Sequence, residues 1–171
     1  MANQLPAGDP VPLDGTLPGS ALAELPERSF SVYLHVPFCR SRCGYCDFNT
    51  YTASELRGMS TGDYLTAALR EIDLAARVLG GGTPEVDTVF VGGGTPTMLP
   101  AGELSRLLDA VRERFGLVRD AEITTEANPE TVTPEYLRRL REAGFTRISL
   151  GMQSAVPHLS LIHISEPTRP Y

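Results

Sequence analysis

The 171-residue chain has the length of a single domain, and its 42% hydrophobic and 21% charged residues are ordinary for a globular protein. Its formal net charge of −6 argues against a general nucleic-acid-binding protein, which would carry a basic surface. No apolar run approaches membrane-spanning length, and the N-terminus lacks the basic and apolar regions of a signal peptide. We therefore expect a cytoplasmic protein without a membrane span, whose cysteines stay reduced.

Residues 1–29 are rich in proline and glycine and predict a flexible leader, with at most one short helical turn near residues 21–25. Residues 31–36 are rich in β-branched and aromatic side chains and predict the first strand. Pro37 ends this strand because proline cannot donate a hydrogen bond to a sheet.

The rest of the chain alternates helical and strand patterns. Hydrophobic spacing and glycine stops predict helices at 62–79, 103–115 and 134–143, and compact apolar runs predict strands at 87–91, 122–126 and 147–150. Thr133 is the expected cap of the last helix, with Pro134 at its first position. This order predicts an α/β fold with a parallel sheet, and it leaves open whether the sheet is flat or curled into a partial barrel.

All three cysteines lie within eight residues, at Cys39, Cys43 and Cys46, on the loop that follows the first strand. Barrels of alternating strands and helices place their chemistry on such loops. Three thiolates fit an iron–sulfur cluster whose fourth iron has no protein ligand and can therefore bind a small molecule. The alternatives are unrelated buried cysteines and a zinc site completed by a histidine such as His35. The tight clustering, without a second pair of ligands, favours the iron–sulfur site.

The C-x3-C-x2-C motif resembles that of the radical S-adenosylmethionine (SAM) enzymes. The flanking strings YLHVPF before Cys39 and DFNTY after Cys46 are similar to the oxygen-independent coproporphyrinogen III oxidase family, and within it to the HemW-type heme chaperones. The resemblance runs from about Phe30 to about His158. It implies a partial barrel of six strand–helix units, of which this chain holds three and the start of the fourth.

The resemblance also implies the cofactors. Cys39, Cys43 and Cys46 would hold a [4Fe–4S] cluster, and SAM would bind the open iron and be cleaved reductively to a 5′-deoxyadenosyl radical. In the glycine-rich turn after the second strand, the resemblance assigns SAM contacts to Gly93, Gly94 and Thr95. Carbonyls and amides exposed there could bind the charged methionyl end of SAM, although an ordinary tight turn is the alternative.

Four further SAM contacts follow from the same resemblance. Glu126 ends the third strand and Gln153 follows the fourth, although a glutamate is more commonly a solvated surface residue. Tyr45, between two cysteines, could lie against the adenine, whereas core packing explains Tyr33 equally well. We expect His35 to support the ligands from behind or to pack against the site, and not to bind iron.

Two functions share this core. A heme chaperone binds heme and delivers it to a recipient protein, whereas a coproporphyrinogen III dehydrogenase decarboxylates propionate side chains. The dehydrogenases usually carry a fourth cysteine in a C-x2-C-x-C pattern, but Cys46 is followed here by Asp47-Phe48, as in the chaperones. The pattern therefore favours the chaperone. A third possibility, an electron-transfer iron–sulfur module, is disfavoured by the missing fourth ligand. The sequence identifies no catalytic residue, recipient protein or electron donor.

Residues 159–171 follow neither the helical nor the strand period and resemble a translated sequencing adapter. We predict that the authentic sequence departs from this chain near His158 and that the locus encodes a longer protein. The core domain of residues 30–158 would then be truncated, with an exposed sheet edge, and inactive by itself.

Overall fold

The computed structural model describes residues 12–41, 46–52, 55, 58 and 60–151. Strands and helices alternate there as the sequence predicts, and this prediction is confirmed. In chain order, the elements are α1 (Gly19–Ala23), β1 (Phe30–Val36), α2 (Thr61–Leu79), β2 (Val86–Gly93), α3 (Ala101–Phe115), β3 (Leu117–Ala127), α4 (Pro134–Ala143) and β4 (Arg147–Leu150).

The four strands form one parallel sheet in the order β1-β2-β3-β4. Each strand lies beside the next strand in the chain, and right-handed crossovers then place α2, α3 and α4 on the same face of the sheet. In agreement, α2 packs against α3 and α3 packs against α4. A doubly wound sheet would reverse its strand order and carry helices on both faces. The strand order therefore excludes a doubly wound sheet and is the order found in a segment of an α/β barrel.

The hydrophobic core lies between this helical layer and one face of the sheet. The strands contribute alternate residues such as Val36, Val89 and Val91, each at most 1% exposed. From the helices, the fully buried side chains are those of Leu104, Leu107, Leu108, Val111 and Leu140. Burying each such side chain contributes about 1.5–3 kcal/mol relative to leaving it in water. The opposite face of the sheet carries polar and aromatic side chains, including Tyr33, His35 and Glu126.

Two element boundaries show how local chemistry sets the ends. Thr133 caps α4 by accepting a hydrogen bond from the Tyr136 amide, with Pro134 at the first position, as predicted. β3 begins at Leu117, five residues earlier than the pattern indicated. Gly116 adopts a φ of +74°, so the chain turns from α3 directly into the strand.

The described part of the leader lies beside α2. A Cβ added to Gly15 would lie 3.4 Å from Leu74 Cδ1 and 3.5 Å from Val78 Cγ2. α1 forms close to the single helical turn that the sequence predicted. Residues 1–11 and 159–171 lie outside the described residues, so the flexible leader and the foreign tail stay predictions. Among the described residues, every helix is too short or too polar to cross a membrane.

Candidate cofactor site

Three of the predicted site segments meet at the carboxyl-terminal edge of the sheet. Cys39 follows β1 by three residues, Gly94 and Thr95 directly follow β2, and Glu126 is the last residue but one of β3. In a parallel sheet all carboxyl ends share one edge, so the strand order β1-β2-β3 makes these segments neighbours.

The cysteine loop is closed at its base by backbone hydrogen bonds. The Cys39 amide donates to the Tyr51 carbonyl at 3.0 Å, and the Tyr51 amide donates to the Pro37 carbonyl at 2.7 Å. Cys39 and Cys46 both carry half-buried thiols that form no disulfide. Cys43 and Tyr45 lie outside the described residues, as does Gln153. Among the described residues alone, no group of three potential metal ligands occurs.

The amides of the glycine-rich turn are used inside the protein. The Gly94 amide donates to the Val36 carbonyl at 2.8 Å, and the Thr95 amide donates to the Phe38 carbonyl at 2.7 Å. The Gly93 amide donates to Glu126 Oε2 at 3.0 Å. We expected both the amides and the carbonyls of the turn to be available to a ligand. In the structure these three amides instead donate hydrogen bonds within the protein and hold the turn in place. The turn can therefore offer a ligand hydrogen-bond acceptors, which suit an ammonium group.

Glycine is required in this turn because its neighbours leave no room for a side chain. A Cβ on Gly94 would lie 2.5 Å from the Phe38 carbonyl oxygen and 2.9 Å from Cys39 Sγ. Gly93 has a φ of +117°, and a Cβ there would lie 2.8 Å from the His35 ring. Both positions are too tight for any other residue, so the turn packs directly on the cysteine loop.

A second set of contacts joins the turn to the end of β3. Thr95 is only 5% exposed, and its hydroxyl accepts a hydrogen bond from Asn128 Nδ2 at 3.3 Å. Sequence reasoning assigned no role to Asn128. It lies two residues after Glu126, and the period of a strand places both on the same face. That spacing was the signal that could have identified it.

Tyr33 and His35 form a hydrogen-bonded chain that reaches the cysteine loop. The Tyr33 hydroxyl lies 2.9 Å from His35 Nδ1, and His35 Nε2 lies 2.8 Å from the Asn49 carbonyl oxygen. A carbonyl only accepts, so Nε2 carries the proton in a neutral ring and Nδ1 accepts from Tyr33. Burial, and secondarily the negative charge of Glu126, raises the pKa of Tyr33, so the hydroxyl keeps its proton.

The contacts of His35 and Tyr33 argue against two of the alternatives: a metal site that uses His35, and core packing as the role of Tyr33. Both ring nitrogens of His35 are engaged in hydrogen bonds, which leaves no lone pair for zinc or iron. Tyr33 is 56% exposed and stacks on Phe90 with 6.1 Å between ring centroids, so it lies on the open face of the sheet and not in the core. Core packing therefore does not account for Tyr33.

The residues present fit an iron–sulfur cluster with a bound amino acid derivative. The soft thiols of Cys39 and Cys46 suit iron, and the carboxylate of Glu126 and the acceptors of the glycine turn suit a cationic group. A family profile described as the radical SAM superfamily matches residues 33–170. The chain belongs to the radical SAM superfamily. Membership in this family implies a [4Fe–4S] cluster and SAM as cofactors.

Within this superfamily, the chain is similar to two kinds of protein, heme chaperones and a coproporphyrinogen III oxidase. The chain is 52% identical over 155 residues to the heme chaperone HemW of Mycobacterium tuberculosis, covering 90% of this chain and 39% of the relative. It is 43% identical over 125 residues to the heme chaperone HemW of Escherichia coli, covering 72% and 32%. The oxygen-independent coproporphyrinogen III oxidase of Escherichia coli is 38% identical over 133 residues, covering 78% and 28%.

A solved structure supports the fold. The coproporphyrinogen III oxidase HemN of Escherichia coli, described as a radical SAM enzyme, matches with a TM-score of 0.71 and 36% identity, covering 80% of this chain and 31% of that chain. The resemblance drawn from the cysteine motif and its flanks is confirmed. The chain spans about two fifths, or less, of the length of these relatives.

Proposed function

We propose that this protein is a heme chaperone of the radical SAM superfamily, which binds heme and transfers it to a recipient protein. The observation that carries the proposal is the 52% identity, over 90% of the chain, to a relative named heme chaperone HemW. The coproporphyrinogen oxidase is more distant, at 38% identity. The residues after Cys46 support the same choice, since Asp47-Phe48 stand where the dehydrogenases carry a fourth cysteine.

In this proposal Cys39, Cys43 and Cys46 hold three irons of a [4Fe–4S] cluster. The SAM-binding residues are Tyr33, Tyr45, Gly93, Gly94, Thr95, Glu126 and Gln153. When bound, the cluster and SAM together supply a one-electron reductive cleavage of a carbon–sulfur bond.

The protein's own contribution is to fix the surroundings of these groups. Glu126 holds the Gly93 amide, and the Val36 and Phe38 carbonyls hold the next two amides. The turn is therefore rigid before a ligand arrives, and its acceptors can orient an ammonium group without reorganisation. The carboxylate of Glu126 is partly shielded from water, and its negative charge favours a cation at the same place.

The second candidate is a coproporphyrinogen III dehydrogenase, acting on propionate side chains. The observation in its favour is the structural match to coproporphyrinogen III oxidase HemN, with a TM-score of 0.71. Both functions use the same cluster and SAM site, so the geometry of that site supports them equally. The two functions differ in what happens to the porphyrin: the chaperone transfers heme unchanged, whereas the dehydrogenase decarboxylates coproporphyrinogen III. The experiment must therefore measure heme transfer and coproporphyrinogen turnover.

The test uses the complete product of the gene, purified and reconstituted anaerobically. We expect a cluster whose electron paramagnetic resonance spectrum changes when SAM is added, saturable heme binding, transfer of heme to an acceptor apoprotein, and no turnover of coproporphyrinogen III. Turnover of coproporphyrinogen would replace the chaperone by the dehydrogenase. A cluster that ignores SAM would favour the electron-transfer module, and zinc in place of iron would contradict all three functions.

Two variants test whether the cysteines bind the iron. Cys39→Ser and Cys46→Ser remove a soft ligand while keeping the side-chain size, and each is expected to lose most of the iron. Ser105→Ala is the matched control, because the Ser105 hydroxyl donates to the Ala101 carbonyl within α3, away from the cysteine loop. It should keep the iron content and heme binding of the unaltered protein.

A further inference from the structure

The side chain of His35 attaches the return limb of the cysteine loop, residues 46–51, to β1. The end of this limb is fixed at Tyr51 by the backbone hydrogen bonds to Cys39 and Pro37. Between this end and Cys46, the Asn49 carbonyl accepts a hydrogen bond from His35 Nε2 at 2.8 Å. The tether therefore holds the part of the limb that carries the last predicted ligand.

The same imidazole also lies against the glycine-rich turn. A Cβ placed on Gly93 would be 2.8 Å from both Nδ1 and Cε1 of His35, so the ring rests directly on the Gly93 backbone. The ring therefore contacts both halves of the site, with the cysteine loop at Nε2 and the glycine-rich turn along its Nδ1–Cε1 edge.

Two tyrosines fix the position of the ring. The Tyr64 hydroxyl, on α2, donates to the His35 backbone carbonyl at 2.8 Å. The Asn49 carbonyl can only accept, so it sets the neutral ring as the Nε2–H tautomer, and the Tyr33 hydroxyl then donates to Nδ1 at 2.9 Å. Because a hydroxyl can both donate and accept, Tyr33 holds the orientation of the ring and does not select its tautomer.

We propose that His35 is a positioning residue that holds the return limb of the cysteine loop in register with the glycine-rich turn. The proposal rests on the proposed cluster site. Residues that orient metal ligands in this way typically change metal affinity about 10–100-fold when removed.

The test compares two amides of different length in the complete gene product. His35→Gln places an amide nitrogen near the position of Nε2 and can still donate to the Asn49 carbonyl. His35→Asn places its amide near the position of Nδ1 and is too short to reach that carbonyl. The rate at which an iron chelator removes the cluster can be monitored by visible absorbance under anaerobic conditions. This rate should be about 10-fold higher for His35→Asn and close to that of the unaltered protein for His35→Gln.

Equal rates of cluster loss for the two variants would overturn the proposal, because a ring that merely packs would be missed equally in both. Urea unfolding of the two apo variants provides the control for folding. A His35→Asn variant that fails to fold, while His35→Gln folds, would still support the tether, since the two side chains differ chiefly in reach to Asn49.

A second measurement does not depend on the cluster. Nitrogen-15 NMR of histidine-labelled apo protein should show His35 as the Nε2–H tautomer, because the Asn49 carbonyl can only accept. An Nδ1–H tautomer, or a mixture of the two tautomers, would overturn the tether to Asn49. If the unaltered protein held no cluster while His35 was the Nε2–H tautomer, the proposed function would fail and the His35 tether would stand.

Discussion

Gly94 and Cys39 are in such close contact that a single methyl group on Gly94 would lie 2.9 Å from the Cys39 sulfur. The same methyl group would lie 2.5 Å from the Phe38 carbonyl oxygen, which already accepts the Thr95 amide. The cysteine loop and the glycine-rich turn are therefore one packed unit. A change in either one must displace the other.

Gly94→Ala is expected to disturb the cysteine loop more than the rest of the fold. The added carbon must push away backbone atoms of Phe38, which cannot rotate aside as a side chain can. We expect a several-fold loss of iron after reconstitution, with strand and helix content retained in circular dichroism. Gly102→Ala is the matched control, because a Cβ there meets nothing within 4 Å and lies in the first turn of α3. It should leave the iron content unchanged, and equal iron in both variants would contradict the close packing.

The order of elements could be predicted because each one carries a complete local signal. Glycine stops end α2 and α3, and the pairing of Thr133 with Pro134 begins α4. The start of β3 carried no such signal. Arg119 and Asp120 interrupt the apolar pattern, and the pairing with β2 shifts register between Val86 and Thr88. A strand with this irregularity does not show a clean alternation of residues.

The site could be predicted only as a set of residues, and not as a set of contacts. Contacts between parallel strands depend on register, and β1 pairs with β2 so that His35 lies beside Gly92. Nothing in the local sequence specifies the registers of β1, β2 and β3, so neither the packing of the His35 ring on Gly93 nor the bond from the Gly93 amide to Glu126 could be derived. The hydrogen bonds from the Gly94 and Thr95 amides to the Val36 and Phe38 carbonyls also depend on how β1 lies beside β2.

Replacing Glu126 by glutamine should preserve the glycine-rich turn but weaken the binding of a cation. In Glu126→Gln the side-chain carbonyl can still accept the Gly93 amide, so the apo fold should be retained, whereas Glu126→Ala leaves that amide without its acceptor. A lost charge-assisted hydrogen bond of this kind is worth about 1.5–3 kcal/mol. We expect weaker SAM binding in both variants, measured by the change in the cluster spectrum, and a lower unfolding free energy in the alanine variant only. Unchanged SAM binding in Glu126→Gln would exclude a role for the charge.

Tyr64 should make the protein less stable in alkali. Burial, together with the charge of Glu71 and the proximity of Tyr33, raises the pKa of Tyr64 to about 12 in the folded protein, from 10.0 in an exposed tyrosine. Between these two pH values the unfolded chain has lost the proton while the folded protein keeps it. The folded state binds more protons, so its stability falls as the pH rises from 10 towards about 12.

Tyr64→Phe isolates this contribution. The variant loses the hydrogen bond to the His35 carbonyl, which should lower the unfolding free energy by about 1 kcal/mol at pH 8. Its urea midpoint should then fall less between pH 9 and pH 11.5 than that of the unaltered protein. The other tyrosines titrate in both proteins and cancel from the comparison. Parallel curves would show that Tyr64 ionises alike in the folded and unfolded states.

The N-terminus of α3 contains an incomplete capping box. Glu103 is the third residue of the helix, where a carboxylate normally accepts the amide of the capping residue. The capping residue is Pro100, which has no amide proton. Glu103 Oε2 is buried and finds no hydrogen-bond partner among the residues that the structure describes. The proline therefore explains the unpartnered carboxylate oxygen.

Pro100→Ser should complete the box, because serine supplies both an amide donor for Glu103 and a hydroxyl acceptor for the Glu103 amide. The gain of about 1 kcal/mol from the cap is opposed by the loss of proline rigidity, about 0.4–1 kcal/mol, so the net change should be small. A double-mutant cycle with Glu103→Ala removes this ambiguity. Glu103→Ala should cost about 1 kcal/mol more in the Pro100→Ser background than with Pro100 in place, measured by urea unfolding. A coupling energy near zero would mean that Glu103 does not reach the capping position, and that its burial has another cause.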